Sequence, residues 1–233
     1  MLPPRVELVD LGRLSYAAAY AEQVRRVEGV LAARANPDGH LGVVLLVEHP
    51  PVITISHRAG ASNHLLATPA LLSANGIEVH ETDRGGDITY HGPGQIVAYP
   101  ILDLNRLNLG LHEYMRLLEQ AVIDTCAAFG IRGERDPKAT GVWVDGAKIA
   151  AFGVRVRKWI SMHGLALNVT TDLSHFGLIV PCGLHGRPVT SMNTLLGATC
   201  PSVDEVRGSL RGHLTRLIIG AWETACVKRS GVV

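Results

Sequence analysis

The chain has 233 residues, 47% of them hydrophobic, and its 22 basic and 21 acidic side chains leave a formal net charge of +1. That balance offers no basic field for a nucleic acid, and the length lets about 70% of the unfolded surface be buried without a disulfide or metal staple. No apolar run reaches the roughly 18 residues of a spanning helix, and the opening MLPPRVELVD lacks the basic and apolar parts of a signal peptide. The expectation is therefore one cytoplasmic domain over 1–233, away from membranes; a monomer is expected, although the sequence itself leaves the oligomeric state open. The four cysteines, Cys126, Cys182, Cys200 and Cys226, form no CxxC pair and no zinc spacing, so free thiols and no metal are expected.

In chain order, Ala17, Tyr20, Val24, Val27 and Leu31 recur at helical spacing behind Ser15, a suitable N-cap. Val43–Val47 and Val52–Ile55 read as buried strands separated by His49-Pro50-Pro51. Tyr114, Leu118, Ala121, Thr125 and Phe129 form one helical face, with Gly130 as the stop. Val142–Val144 and Ala147–Val156 read as strands joined by Asp145-Gly146, a strong hairpin signal. Leu165–Val169 is a further strand. Ser202-Val-Asp-Glu205 is a capping box opening a helix through Val206, Leu210, Leu214, Leu217 and Ala221, and 228–233 reads as a frayed tail. Strands and helices do not alternate strictly, so a mixed α/β sheet is expected, not a doubly wound one.

Three segments carry chemistry. Arg84-Gly-Gly-Asp-Ile-Thr-Tyr-His-Gly-Pro-Gly-Gln95 sets glycines that allow close backbone approach among polar residues that can orient a substrate. It matches neither a phosphate loop nor a dinucleotide fingerprint, and an ordinary glycine-rich hairpin suits it equally. In the second, strand alternation puts Lys148 on one face with Ala150, Phe152, Val154 and Val156, and Ile149, Ala151, Gly153 and Arg155 on the other. Burial there would favour a neutral lysine, although a lysine beside a turn more often snorkels to solvent. In the third, Ile179-Val-Pro-Cys-Gly183, a tight turn presents Cys182 as the candidate nucleophile. Between the last two, Gly164 and Ala166 share a strand face and, with Ala151 and Gly153, leave room for a narrow apolar channel. His163 reads as a structural hydrogen-bond partner and Asn168 as satisfying backbone groups.

Taken together, LLVEHPPVIT (45–54), DRGGDITYHGPGQIVAYPI (83–101), GVWV (141–144), KIAAFGVRV (148–156), HGLALNV (163–169), IVPCG (179–183) and VTSM (189–192) resemble the lipoyl(octanoyl) transferases, the lipoate-protein ligase B family, in the family's order and over most of the chain. The resemblance implies the biotin/lipoate ligase-like fold, related to class II aminoacyl-tRNA synthetases. It also implies transfer of octanoyl from the phosphopantetheine of acyl carrier protein to a lysine of lipoyl domains, in the E2 subunits of 2-oxoacid dehydrogenases and in glycine cleavage H protein, with no ATP or metal. By the same resemblance Cys182 is the nucleophile and Lys148 its dyad partner. Substrate-binding segments fall on Arg84, Gly85, Gly86, Asp87, Ile88, Thr89, Tyr90 and His91, on Ala151, Phe152 and Gly153, and on Gly164, Leu165 and Ala166. Asp87 and Ser56-His57 depart from the family pattern. An ATP-dependent lipoate ligase on the same fold would need an adenylate site and no Cys182, and a carrier-binding module without catalysis would leave Cys182 dispensable.

Overall fold

The computed structural model describes residues 6–36, 40–180 and 187–229. Its main sheet has seven strands in the order β1-β2-β6-β10-β9-β8-β7. These are β1 (Val6–Arg13), β2 (Gly42–Glu48), β6 (Gln95–Leu102), β7 (Glu134–Asp136), β8 (Ala139–Val144), β9 (Ala147–Arg157) and β10 (Ile160–Asn168). Only the β1–β2 pair is parallel. A second sheet, in the order β4-β3-β5, joins β3 (Val52–Ser56), β4 (Glu78–Thr82) and β5 (Ile88–His91).

The continuous apolar runs are explained by cover on both faces of the main sheet. On one side Val43, Leu45, Val47, Val97, Tyr99 and Ala166 pack with helix α1 (Tyr16–Ala33). On the other, Val44, Leu46, Ile96, Ala98, Leu165 and Leu167 pack under α4 (Leu111–Ala128) and α6 (Val203–Arg229). Between them in the chain lie α2 (Pro69–Ala74), α3 (Leu104–Leu107) and α5 (Met192–Leu196). Ile53, Ile55, Leu72, Ile88, Tyr90 and Phe176 form a smaller core under the second sheet.

Local signals are realised where sequence chemistry is strong. The Ser15 hydroxyl accepts the N–H of Ala18, Asp145 and Gly146 both adopt positive φ in the β8–β9 turn, and Glu205 closes the capping box on Ser202. Helix α6 continues to Arg229, two residues into the stretch expected to fray, and the Arg229 guanidinium donates to the carbonyls of Ala225 and Arg106. One expectation about faces fails. Trp143 pairs with Lys148 but Val142 pairs with Ala150, so Ile149 is a bulged residue. The bulge flips the alternation: Lys148 shares a face with Trp143, while Ala150 turns with Val142 into the core under α4 and α6.

Candidate active site

A cavity with about 460 Å³ of empty space, part of it at its open mouth, lies where the small sheet meets the α1 side of the main sheet. Strand pairing builds its floor. Ala151 stands opposite Ala166 and Gly153 opposite Gly164, so small residues of adjacent strands come together on one face. Arg84, Gly86, Thr89 and His91 close it from the small sheet, Phe152 and Leu165 complete the expected lining, and His163, expected only as a hydrogen-bond partner, lines it too. Tyr16, Val97 and Tyr99 also line it; they were missed because helical and strand periodicity mark them only as core positions. Period-two alternation in β5 sends Thr89 and His91 to the cavity and Ile88 and Tyr90 to the smaller core, so these last two support the site from behind.

Gly85 and Gly164 are also needed for close backbone contact. The Gly85 N–H donates to Val154 O at 2.9 Å, docking the glycine-rich loop on the stretch of β9 beyond its pairing with β8. A Cβ on Gly153 would lie 2.7 Å from Gly85 O, and one on Gly164 would run into the carbonyl oxygen of Ala98. The loop is held further by Arg84, whose guanidinium donates to Thr54 O at 2.7 Å and to Thr54 Oγ1. Asp83 receives His163 Nε2–H at 2.8 Å, the Tyr20 hydroxyl and the Arg155 guanidinium. Burial would raise the Asp83 carboxyl, but the hydrogen bond from His163 and the charge of Arg155 hold it below its ordinary range. Arg155 is thereby taken out of the basic surface run it forms in sequence with Arg157 and Lys158.

The two departures from the family pattern touch one another, the Ser56 N–H donating to Asp87 O at 3.1 Å. Ser56 Oγ–H donates to Gly86 O at 2.9 Å, and His64 Nδ1–H donates to the buried Asp87 carboxylate at 2.9 Å.

His91 is neutral: burial, then the neighbouring His49, push its pKa down to about 3. Its Nδ1–H donates to Gln95 Oε1 at 2.7 Å; the Gln95 amide donates to Tyr90 O and to Asn168 Oδ1, and Asn168 Nδ2–H donates to Thr190 O at 3.0 Å. Asn168 thus serves one backbone carbonyl and one side chain. The chain of bonds ends at Lys148, since the Thr190 N–H donates to Lys148 O and the Lys148 N–H to Pro188 O, both at 2.9 Å. Lys148 is 8% exposed, and its Nζ lies 4.8 Å from the centre of the Trp143 ring. Its apolar surroundings are therefore indole, and not Phe152 and Val154.

Cys182 lies outside the described residues, as do Pro181 and Gly183. Its described flanks are anchored: the Val180 N–H donates to His64 O, and Val189 bridges Lys148. Of the other thiols, burial pushes Cys126 up to about 12 and raises Cys200, and neither these two nor Cys226 lines the cavity.

This layered sheet, with a glycine-rich loop over a narrow apolar slot, defines a protein of the biotin/lipoate ligase-like fold. Among solved structures, a lipoate-protein ligase A bound with ATP superposes with TM-score 0.70 at 16% identity, covering 93% of this chain and 86% of that one. A biotin protein ligase from Aquifex aeolicus superposes with TM-score 0.51 at 11% identity, covering 93% and 70%. Residues 20–215 match the lipoyl protein ligase A/B catalytic domain. The octanoyltransferase of Geobacter metallireducens is 45% identical over 209 residues, 90% of this chain and 92% of that protein. That of Solibacter usitatus is 48% identical over 210 residues, covering 90% and 91%. The chain belongs to the octanoyltransferases within the lipoyl protein ligase A/B catalytic family.

Proposed function

We propose that the protein takes octanoyl from octanoyl acyl carrier protein as a thioester on Cys182 and delivers it to the target lysine of lipoyl domains, with Lys148 as the proton carrier in both steps. The observation that carries this reading is the position of Lys148. It is buried beside an aromatic ring, and its own backbone holds the run 188–190, which follows Cys182 in the chain. The cavity that begins three residues further along β9, at Ala151, suits a medium acyl chain, because its small-residue floor is apolar and Arg84, among the described residues its one lining residue of permanent charge, has its guanidinium turned to Thr54.

In the first step Lys148 removes the Cys182 thiol proton. The thiolate adds to the donor thioester, and the phosphopantetheine sulfur leaves and takes that proton back from Lys148. One thioester replaces another, so the exchange is near balance and needs no ATP. In the second step the acceptor lysine amine adds to the acyl-enzyme, its surplus proton passes to Lys148, and the Cys182 thiolate leaves as the amide forms. Amide formation from a thioester is downhill.

The test combines purified carrier, lipoyl domain and enzyme. Intact-mass analysis with peptide mapping should find one octanoyl group on Cys182, and a gel shift of the lipoyl domain should proceed without ATP or magnesium. An adduct on Cys126, Cys200 or Cys226, or strict dependence on ATP with free octanoate as the preferred donor, would overturn the reading; the second result would make the protein a ligase.

A further inference from the structure

A charged stack bears on Lys148 from the segment that follows Cys182. Trp143, 1% exposed, stands directly opposite Lys148 in the β8–β9 pair. The Arg187 guanidinium carbon lies 3.6 Å from the centre of the same ring over which Lys148 Nζ sits at 4.8 Å. Arg187 is fixed there by Asp136 at the end of β7, its Nη2 donating to Asp136 Oδ2 at 2.5 Å. It opens the short run that pairs with the Lys148 backbone. Two basic side chains therefore share one indole, and the guanidinium lies closer to it.

The other charge near Lys148 among the described residues is Glu119 of α4. Its Oε1 reaches the N–H of Gly141, the position where a Cβ would lie 3.0 Å from Lys148 Cε. Arg116 and Arg135 both pair with that carboxylate. β8 adds no charged side chain; on β9 the bulge leaves Arg155 and Arg157 on the Lys148 face, Arg155 paired with Asp83 and Arg157 exposed at the far end of the strand. The charge of Arg187, offset by Asp136, is left as the variable one.

We propose that Arg187 is a positioning residue for Lys148: laid on Trp143, it fixes where the lysine amine sits and opposes its protonation, so that the amine and not the ammonium faces the thiol. The inference rests on the reading of Lys148 as the base. Its sign can be worked out for two substitutions. Arg187→Gln removes a cation and leaves the Asp136 carboxylate uncompensated, and both changes favour the ammonium. Asp136→Asn removes the anion and favours the amine. Arg187→Lys keeps the charge.

The experiment is the pH dependence, from about 6 to 9, of single-turnover acylation of Cys182 by an octanoyl thioester, with melting curves to confirm folding. Arg187→Gln should slow the step by roughly 3- to 10-fold at neutral pH, the effect of a shift of up to about one unit in the base. The deficit should close as pH rises. Arg187→Lys should restore the wild-type profile, and Asp136→Asn should move it toward acid. A loss for Arg187→Gln that is the same at every pH, or no loss at all, overturns the proposal. Lys148→Ala in the same assay separates the two layers. If it is slow while the Arg187→Gln profile stays unmoved, this inference alone fails; if it turns over normally, the base assignment fails and takes this one with it.

Discussion

Ala151 and Ala166 meet across the β9–β10 pair and both line the cavity, which makes them the positions where added methyl groups enter the proposed acyl slot. Ala166→Val puts two carbons where chain methylenes would lie. Overpacking a closed apolar site costs about 1–3 kcal/mol, and each chain methylene contributes about 0.8 kcal/mol. Hexanoyl should therefore gain on octanoyl by roughly tenfold in relative kcat/KM when the two thioesters compete in one tube. An unchanged ratio would place the chain elsewhere. Gly164→Ala is a contrasting change: its Cβ meets the Ala98 carbonyl in the neighbouring strand, so it should lower stability more than it alters chain-length preference. The same scale holds the chemistry of Lys148. Removing a general base typically costs about 10²–10⁴ in rate, and Lys148→Ala should show a loss in that range in both half-reactions. Near-normal turnover with normal thiol reactivity would shift the role to another group, with His91 a poor choice because burial keeps it neutral down to about pH 3.

Between elements, the polar chain from His91 through Gln95 and Asn168 to Thr190 ties β5, β6 and β10 to the run that flanks Lys148. Asn168→Leu leaves one bond of the Gln95 amide and the Thr190 carbonyl without their partner inside the protein. Each such buried loss costs about 1–3 kcal/mol, so urea melts should show a drop of about 2–4 kcal/mol. kcat should fall more than KM, because the loosened run borders Lys148 and not the acyl slot. A stability change below about 0.5 kcal/mol would mean the chain is not a structural tie. Elements were legible in the sequence where chemistry repeats or a turn has a strict requirement. The α1 and α4 faces, the Asp145-Gly146 turn and the Ser202 capping box all follow from periodicity or from one demanded side-chain bond. The β9–β10 hairpin was only half legible, since Lys158 and Trp159 adopt positive φ at its tip without the glycine or asparagine that announces such a turn. The bulge at Ile149 has no local signature either, and it reversed the face of Lys148. In the candidate site, the small residues of β9 and β10 could be placed by alternation alone. Tyr16 and Tyr99 could not, because a cavity wall and a core have the same spacing. Nor could sequence spacing show that Arg155 belongs to Asp83 and Arg187 to the Trp143 ring.

At the scale of the whole molecule, three buried histidines stand where α1, the main sheet and the small sheet converge: His49 after β2, His91 at the end of β5, and His163 in β10. Each is built into the neutral form. His49 donates from Nδ1 to Leu14 O and accepts the Tyr99 hydroxyl at Nε2; His91 donates to Gln95; His163 donates to Asp83. Burial lowers the pKa of all three, in His163 against the pull of Asp83. The sign for stability follows from comparing states. An unfolded histidine takes up a proton near pH 6.5, whereas the folded His91 does not until about pH 3. Between those values the unfolded chain binds more protons, so falling pH favours unfolding. Above about pH 7 these groups add no pH dependence. His91 contributes up to about 1.4 kcal/mol per pH unit in that window, before any carboxylate begins to titrate at its upper end, and His49 and His163 act in the same direction. Unfolding free energy from urea titrations should thus be flat from pH 8 to 7 and fall steeply between pH 6 and 5. The variant His91→Gln, though less stable at neutral pH, should show a shallower fall by about one proton's worth, because the group that must stay neutral is gone. Equal slopes for the two proteins between pH 6 and 5 would mean that His91 is already protonated in the native state, and that the junction of the two sheets tolerates a charge the present geometry excludes.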